Sequence, residues 1–485
     1  MAYIRKVKTA SGAIAVQIAY SAYGKVIKIE HVGSAHNETE LAMLLEIAQK
    51  LKTKQLSLLD PAAAELDIVI ERSVSSVLLE TLANHYEMLG FNEIDDPVFA
   101  DLVIARLVEP TSKVDSIRVL AELGATGLNN TAIHRCLRRV ISKDYRDKLA
   151  KLCFARASRF GDLTLVLYDV TTLYFEVQQE DDYRRPGLSK ERRLEPQIVV
   201  GLLVDRNGFP LELHSFEGDK AETKTILPVM EAFRKRHGIS NLTVVADAGM
   251  LSQTNLAELS RAGYGYIVGS RLHKIPYDIS QYQKKDNLRD GQIFTVKAKV
   301  EGQKVIYQYR EKRAALDRRN IAKQIAKAEN IVKGKAPVKR SKFVKLSATS
   351  SSRSLNTELI DKALSLVGIK GYVTNLNIPA KQVIAAYHEL WHVEQSFRMS
   401  KSDLKARPIF HHKQEAIEAH LTVVMAALAL QRNIEAVSGV SLKQLVKVLR
   451  PIHSGIVSIE GKEHKAKPRI TLEAQELLNR LNSAH

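Results

Sequence analysis

Apolar positions alternate in some stretches of this chain and recur at helical spacing in others. Val16, Ile18 and Tyr20, then Val26, Ile27 and Ile29, flank Tyr23-Gly24 and predict a hairpin over Ala13–Val32. Helical spacing predicts a helix over Glu38–Lys52, and Pro97–Ser158 is helical in pattern, punctuated by Pro110 and by Gly124–Asn130. From Asp162 onward strands dominate. Leu163–Val170 is the first of them. Pro196–Val204 and Pro210–Phe216 follow as a hairpin across Asp205-Arg206-Asn207-Gly208, whose Asn-Gly suits the positive φ of a tight turn. Asp219 and Glu222 read as the N-cap and third position of a helix reaching about Arg236. A strand at Leu242–Ala246, a helix at Gln253–Ala262 and a strand at Tyr264–Gly269 complete the series.

The order β-β-β-α-β-α-β is that of a ribonuclease H-like core, in which the first strand is central and its acid sits beside that of the fourth. The core is then interrupted over Arg271–Gly368, with strands at Gln292–Lys299 and Lys304–Tyr309 and a charged helix near Ala314–Lys333. A strand at Gly371–Leu376, one helix over Ala380–Ser400, an apolar helix at Ile417–Leu430 and a helix toward Leu472–Leu481 follow. The expected class is α/β: a ribonuclease H-like mixed sheet, an inserted β-rich and basic subdomain, and a mainly helical N-terminal region. The expected divisions are 1–95 (hairpin and helix), 96–160 (helical), 161–270 (first part of the core), 271–368 (insertion), 369–435 (second part of the core) and 436–485 (basic helical tail).

Charge narrows the partner. The 485 residues carry a net charge of +18, which favours polyanions. Between Gln303 and Lys345, 14 Lys/Arg face 3 Asp/Glu, a net +11 in 43 residues. Such density resembles a phosphate-neutralising patch, with Arg318, Arg319, Lys323 and Lys327 as its candidates, although a flexible basic linker also fits. The basic stretch Thr131–Arg139, with Arg135, Arg138 and Arg139, fits a helix-turn-helix recognition element or an ordinary helical hairpin with a solvated face. Arg184, Arg185, Lys190, Arg192 and Arg193 form a basic loop that is either a DNA contact or merely solvated. Two cysteines, Cys136 and Cys153, argue against a disulfide scaffold. Leu421–Leu430 is too short to span a bilayer and Met1–Lys6 has no signal-type apolar core, so the expectation is a cytoplasmic protein with no membrane partner.

Three acids carry the chemistry. Asp169 ends the run Leu163–Tyr168, Asp247 ends Leu242–Ala246, and Glu394 lies in the helical stretch Tyr387–Lys401. Two strand-end aspartates and a helix glutamate can converge on divalent metal ions, whose hard character suits oxygen ligands. Two such ions stabilise the attacking and leaving oxygens of phosphoryl transfer. Tyr387, Glu394 and Lys401 are seven apart, nearly two turns, so one continuous helix would put them on one face. Trp391 reads first as a core anchor and second as a stacking surface for an unpaired base. His388 and His392 lie at i, i+4, but together with His411 and His412 they lack finger spacing, and polar or phosphate contacts suit them better than zinc.

Tyr387, Leu390, Glu394 and Lys401 resemble the Tyr-Arg-Glu-Lys signature of the insertion-sequence-four group of bacterial DDE transposases, with Leu390 at the arginine position. Asp169-Val170-Thr171-Thr172 and Asp247-Ala248-Gly249 resemble the family's other two motifs, Met250 standing where an aromatic is usual. Gly187–Lys190 before Pro196-Gln197, and Pro379–Arg398, resemble one subgroup, and the likeness spans roughly Asp162 to Leu430. The resemblance implies that Asp169, Asp247 and Glu394 hold two Mg²⁺ (or Mn²⁺) ions. It also implies that Tyr387 and Lys401 meet the DNA, with Arg398 standing in for the missing arginine. The implied activity is cleavage at double-stranded element ends and transfer of the freed 3′-hydroxyl to target DNA. The implied setting is a homodimer on terminal inverted repeats in a bacterial cell, associated with the nucleoid. An inactive transposase-derived DNA-binding protein and a ribonuclease H-like nuclease or junction resolvase are the competing classes.

Overall fold

The computed structural model describes residues 2–9, 12–22, 25–55, 68–161, 163–176, 179–187, 195–249, 252–270, 288–298, 300–335, 337, 341–346, 353–459 and 462–482. Two compact units divide the chain. One comprises Met1–Arg156 with Met399–His485, the other Ala157–Arg398.

The second unit is built on an eight-stranded sheet. Its strands run in the order Ile293–Lys297, Lys304–Tyr309, Ile369–Thr374, Gly265–Ser270, Thr243–Ala246, Leu165–Tyr174, Gln197–Val204, Pro210–Glu217. Leu165–Tyr174 pairs parallel with Thr243–Ala246 and antiparallel with Gln197–Val204; Thr243–Ala246 pairs parallel with Gly265–Ser270. Val166, Leu167, Tyr168 and Val170 are all fully buried, as are Val244, Val245 and Ala246. These strands are covered on both faces, which explains their continuous apolar runs in place of alternation. Gly208 takes φ +84° in the hairpin turn, the conformation the Asn-Gly pair suggested.

Several expectations change here. Asp219 does not cap a helix: it pairs with Arg185 at 3.1 Å, a short 3₁₀ turn spans Glu222–Lys224, and the helix starts later, at Ile226–His237. The interruption also differs in kind. Ile293–Lys297 and Lys304–Tyr309 extend the main sheet through Ile369–Thr374, the basic helix Glu311–Val332 follows, and Val344–Leu346 pairs separately with Arg353–Leu355. The polar spacing of those two strands does not reveal which sheet they join. Residues 271–287 lie outside the described ones.

The first unit has a helical centre. Gln414–Ser438 is buried on nearly all sides and packs against Ser76–Met88, Pro97–Val108, Asn130–Ser142, Leu442–Leu449 and Leu472–Asn482. Such all-round burial explains a hydrophobic helix without an exposed polar stripe. Among the described residues no single helix is long and apolar enough to cross a membrane. The first hairpin forms as Ile14–Ala22 against Lys25–Ala35, joined by Ala2–Lys8, and Glu38–Gln55 covers it through Leu44 and Ala48. The tail is not wholly helical. Ser454–Ile459 pairs with both Lys462–Ala466 and the distant Ile68–Val74, a long-range pairing that local sequence cannot announce. Cys136 and Cys153 are buried free thiols, with burial pushing the Cys136 thiol up to about 12.

Candidate active site

The two aspartates are placed by strand register. Leu165, Val166 and Leu167 pair with Thr243, Val244 and Val245. Two residues further along the same register Asp169 falls opposite Asp247, which lies just past Thr243–Ala246; Asp169 itself is not at a strand end as expected, because Leu165–Tyr174 runs on through buried Val170 and Leu173. Asp247 is exposed and Asp169 half-buried.

Glu394 arrives on a separate helix. The single helix expected over Ala380–Ser400 is broken into Ala380–His388 and Trp391–Arg398, and a π turn follows at Met399–Asp403. The cause is a local tightening. The N–H groups of Glu389, Leu390, His392 and Val393 bond three residues back, to Ala386, Tyr387, Glu389 and Leu390. Three-residue bonding turns the chain by about 20° more per residue than an α-helix, so the seven-residue stripe does not hold across the break. Tyr387, Glu394 and Lys401 therefore do not share a face of one helix, and Lys401 belongs to the other compact unit. The break is pinned. Arg206 donates to both oxygens of Glu389 at 2.8 and 2.5 Å, and Ser396 Oγ donates to the Gly208 carbonyl at 2.8 Å. Both anchors lie in the turn that the Asn-Gly sequence specifies, so the glutamate helix is positioned by the hairpin beside the central strand. It packs on Leu165–Tyr174 and Gln197–Val204, with Val393 and Phe397 buried and Glu394 and Arg398 exposed.

Tyr387 ties the site together. Its hydroxyl donates to Asp247 Oδ1 at 2.9 Å, and the Ala248 N–H donates to the same oxygen at 2.7 Å. Gly269 permits this seat, because a Cβ there would lie 2.7 Å from the Tyr387 hydroxyl. Burial pushes the phenol well above its usual range, and the charges of Asp247 and Glu394 push the same way. Lys370 Nζ lies 4.3 Å from the centre of the Tyr387 ring, a cation–π distance. Burial and Arg313 lower the Lys370 pKa, while Asp247 and Glu394 oppose them. His388 is lowered by burial and by the charges of Lys370 and Arg310. Lys370, Arg310 and Arg313 escaped sequence reading. The arginines were lost in a long basic run, and the only signal for Lys370 was a charge placed just before the apolar strand core.

Asp169, Asp247 and Glu394 offer hard oxygen donors, the chemistry a divalent ion requires. Yet among the described residues no three His, Cys, Asp or Glu side chains gather closely enough to hold one ion. The aspartates stand in register. Asp247 commits one oxygen to Tyr387 and Ala248, and the Lys370 ammonium stands within electrostatic range of Asp247 and Glu394. The donor set fits a metal in kind, with Asp247 Oδ1 already turned to its hydrogen bonds.

The candidate DNA contacts fare differently from one another. Arg318, Arg319, Lys323 and Lys327 are all exposed on Glu311–Val332. Arg135 and Arg138 are exposed on Asn130–Ser142, which Asn129 caps at 2.9 Å. Arg139 is not available in the same way: its guanidinium grips the buried Asp96 at 2.8 and 2.9 Å, which also accepts from Tyr145. Arg184 is buried and paired with Asp181, and Arg185 is paired with Asp182 and Asp219, so both serve the loop itself. Lys190, Arg192, Arg193 and Met250 lie outside the described residues. Trp391 is no core anchor: it is 53 % exposed, with His392 stacked at 3.8 Å. Leu390, at the arginine position of the signature, is buried. A cavity of about 430 Å³ lies beside the helix break, lined by Phe160, Arg206, Glu389 and His392 among others and by none of the three acids.

A family model described as the transposase DDE domain matches residues 161–430. No curated protein matches the chain. Among solved structures, it is similar to the piggyBac transposase synaptic complex with hairpin DNA, seen by cryo-electron microscopy, at 9 % identity and a TM-score of 0.41, over 73 % of this chain and 69 % of that one. It is also similar to the Mos1 transposase paired-end complex with the left transposon end, at 13 % identity and a TM-score of 0.16, over 48 % of this chain and 68 % of that one.

Proposed function

Because the chain belongs to the transposase DDE domain family, we propose that it cuts the ends of its own mobile element and joins the freed 3′-hydroxyl to target DNA. The observation that carries this reading is the register that brings Asp169, within Leu165–Tyr174, opposite Asp247, just past the end of the adjacent parallel strand Thr243–Ala246, inside the matched segment. Asp169, Asp247 and Glu394 are the proposed holders of two divalent ions, Mg²⁺ or Mn²⁺, which when bound supply an activated nucleophile and charge stabilisation at the leaving oxygen. DDE transposases generally use such ions.

The chain's own groups do the rest. The Tyr387 hydroxyl fixes the Asp247 carboxylate, and the Arg206–Glu389 and Ser396–Gly208 bonds fix the helix that presents Glu394. Exposed cations on Glu311–Val332 neutralise phosphates without reading sequence. The core is proposed to be ribonuclease H-like: a central strand, two antiparallel neighbours on one side and two parallel ones on the other support it. Membership of the insertion-sequence-four group rests on Tyr387, Glu394 and Lys401. The arginine that group expects is replaced here by the buried Leu390, and the exposed Arg398 is the proposed substitute. A homodimer holding two ends together is proposed with it.

The test uses a labelled duplex carrying the inverted repeat that flanks the gene. Wild type should cleave it in Mg²⁺, while Asp169→Asn, Asp247→Asn and Glu394→Gln should bind it in a gel shift and cut nothing. Near wild-type cleavage by any one variant would remove that residue from the site. Cleavage by all three would leave the reading without a centre.

A further inference from the structure

The charge beside the acids is itself informative. Lys370 is the second residue of the strand Ile369–Thr374, which lies next to Gly265–Ser270 in the sheet. Its ammonium is held 4.3 Å above the Tyr387 ring, and that ring's hydroxyl is bonded to Asp247 at 2.9 Å. Lys370 is thus one aromatic ring away from the acid that the central register places opposite Asp169. Among the described residues it makes no ion pair, in contrast to Arg139, Arg184 and Arg185, whose charges are met by aspartates. Two further cations, Arg310 and Arg313 at the start of the basic helix, face the same neighbourhood: Arg313 acts on Lys370, and both act on Tyr372. A half-buried ammonium among like charges is costly unless an anion completes it. Asp247 and Glu394 attract it from range but do not contact it. A phosphate would supply the missing partner, and an ammonium–phosphate contact is a strong, charge-assisted one.

We infer that Lys370 is a catalytic residue of this site, its ammonium contacting a non-bridging oxygen of the DNA phosphate that is cut. This rests on the proposed reading of the chain as a DNA-cleaving transposase. In the cleavage step the water oxygen forms the new bond to phosphorus and gives up a proton to solvent, while the bond from phosphorus to the 3′-oxygen breaks with its electron pair on that oxygen, which takes a proton from solvent and leaves as the 3′-hydroxyl. Lys370 keeps its proton throughout, and its charge meets the negative charge that builds on the non-bridging oxygens. Tyr387 positions it by offering the face of its ring, while directing its own hydroxyl at Asp247.

The experiment compares the full-length wild type with Lys370→Met, Lys370→Arg and Asp247→Asn on the terminal-repeat duplex. Lys370→Met keeps the hydrophobic stem over Tyr387 and removes the charge. It should lower the single-turnover cleavage rate about 100-fold, the usual loss when one oxyanion-stabilising group is removed. Binding of the normal duplex in EDTA should fall only to the level that wild type shows for a duplex lacking the charge of that one phosphate, and an unchanged thermal melt shows that the variant folds. Lys370→Arg should recover most of the rate. A duplex whose scissile phosphate is an uncharged methylphosphonate should bind wild type more weakly than the normal duplex, and this penalty should vanish in Lys370→Met. A purely structural lysine would leave the penalty in place. Wild-type cleavage by Lys370→Met, or an undiminished methylphosphonate penalty, overturns the assignment while leaving the transposase reading intact. A wild type that binds the repeat but cuts nothing in Mg²⁺ or Mn²⁺ overturns the reading itself, and the role of Lys370 with it.

Discussion

Tyr387 is held to Asp247 by one hydrogen bond of 2.9 Å to a charged acceptor. Its loss in Tyr387→Phe, which keeps the ring under Lys370, removes about 1.5–3 kcal/mol of orientation, or roughly 10- to 100-fold in cleavage rate. Stopped time courses on the terminal-repeat duplex would show this; an unchanged rate would mean that the Asp247 carboxylate needs no such guide. A second residue-scale prediction concerns stability. Glu212 is buried, and burial alone would raise its pKa, but bonds from His214 and Arg236 and the nearby His237 at 3.4 Å hold the carboxyl down at about 2. A carboxyl depressed by folding gives stability that is present above its unfolded range and is lost as pH falls toward about 2. Wild type should therefore weaken through that acid window. Glu212→Gln should be less stable at neutral pH by about 3 kcal/mol and should lack that part of the acid loss. Denaturant melts at several pH values measure both. At this scale the sequence showed Asp169 and Asp247 because each ends an apolar run that can only be a covered strand. It could not show that Tyr387 meets Asp247, since 140 positions separate them and only the fold closes that distance.

Elements were legible where local pattern decides them and illegible where packing does. The strands of the core appear within a residue or two of their expected ends in most cases, because their apolar runs stop at polar turns. Leu165–Tyr174 departs furthest, continuing four residues past Val170 because its partner Gln197–Val204 pairs with it as far as Tyr174. The break between Ala380–His388 and Trp391–Arg398 was hidden, for no proline or glycine marks it; buried Leu390 and the Arg206–Glu389 grip produce it. Asp219 followed the capping pattern yet serves Arg185 instead, a residue 34 positions away. The basic helix Glu311–Val332 makes a prediction of its own. Replacing Arg318, Arg319, Lys323 and Lys327 by Gln should weaken binding to terminal-repeat and random DNA alike. It should flatten the salt dependence by about 0.9 log unit per log unit of salt for each phosphate no longer neutralised. Replacing Arg135 and Arg138 should instead weaken the terminal repeat more than random DNA. A salt series of gel shifts separates the two; a loss confined to specific binding in the Glu311–Val332 variant would reverse the assignments.

The whole chain divides into a sheet-based unit that carries Asp169, Asp247 and Glu394 and a second unit built from both ends of the sequence. That second unit was the less legible, since Ile68–Val74 pairs with Ser454–Ile459 across nearly the full chain. The net charge of +18 suits the proposed hold on polyanionic DNA, and charge of this size steers encounter without choosing sequence. Transfer of a DNA 3′-hydroxyl by this chain is the step on which the proposed function stands. Its most direct test is a joining reaction: purified protein, a labelled duplex ending in the terminal repeat with its 3′-hydroxyl exposed, a supercoiled plasmid and Mg²⁺. Label should become covalently joined to plasmid with wild type, with none for Asp247→Asn and none in EDTA. No joined product from wild type in Mg²⁺ or Mn²⁺, with the duplex visibly bound, would contradict it.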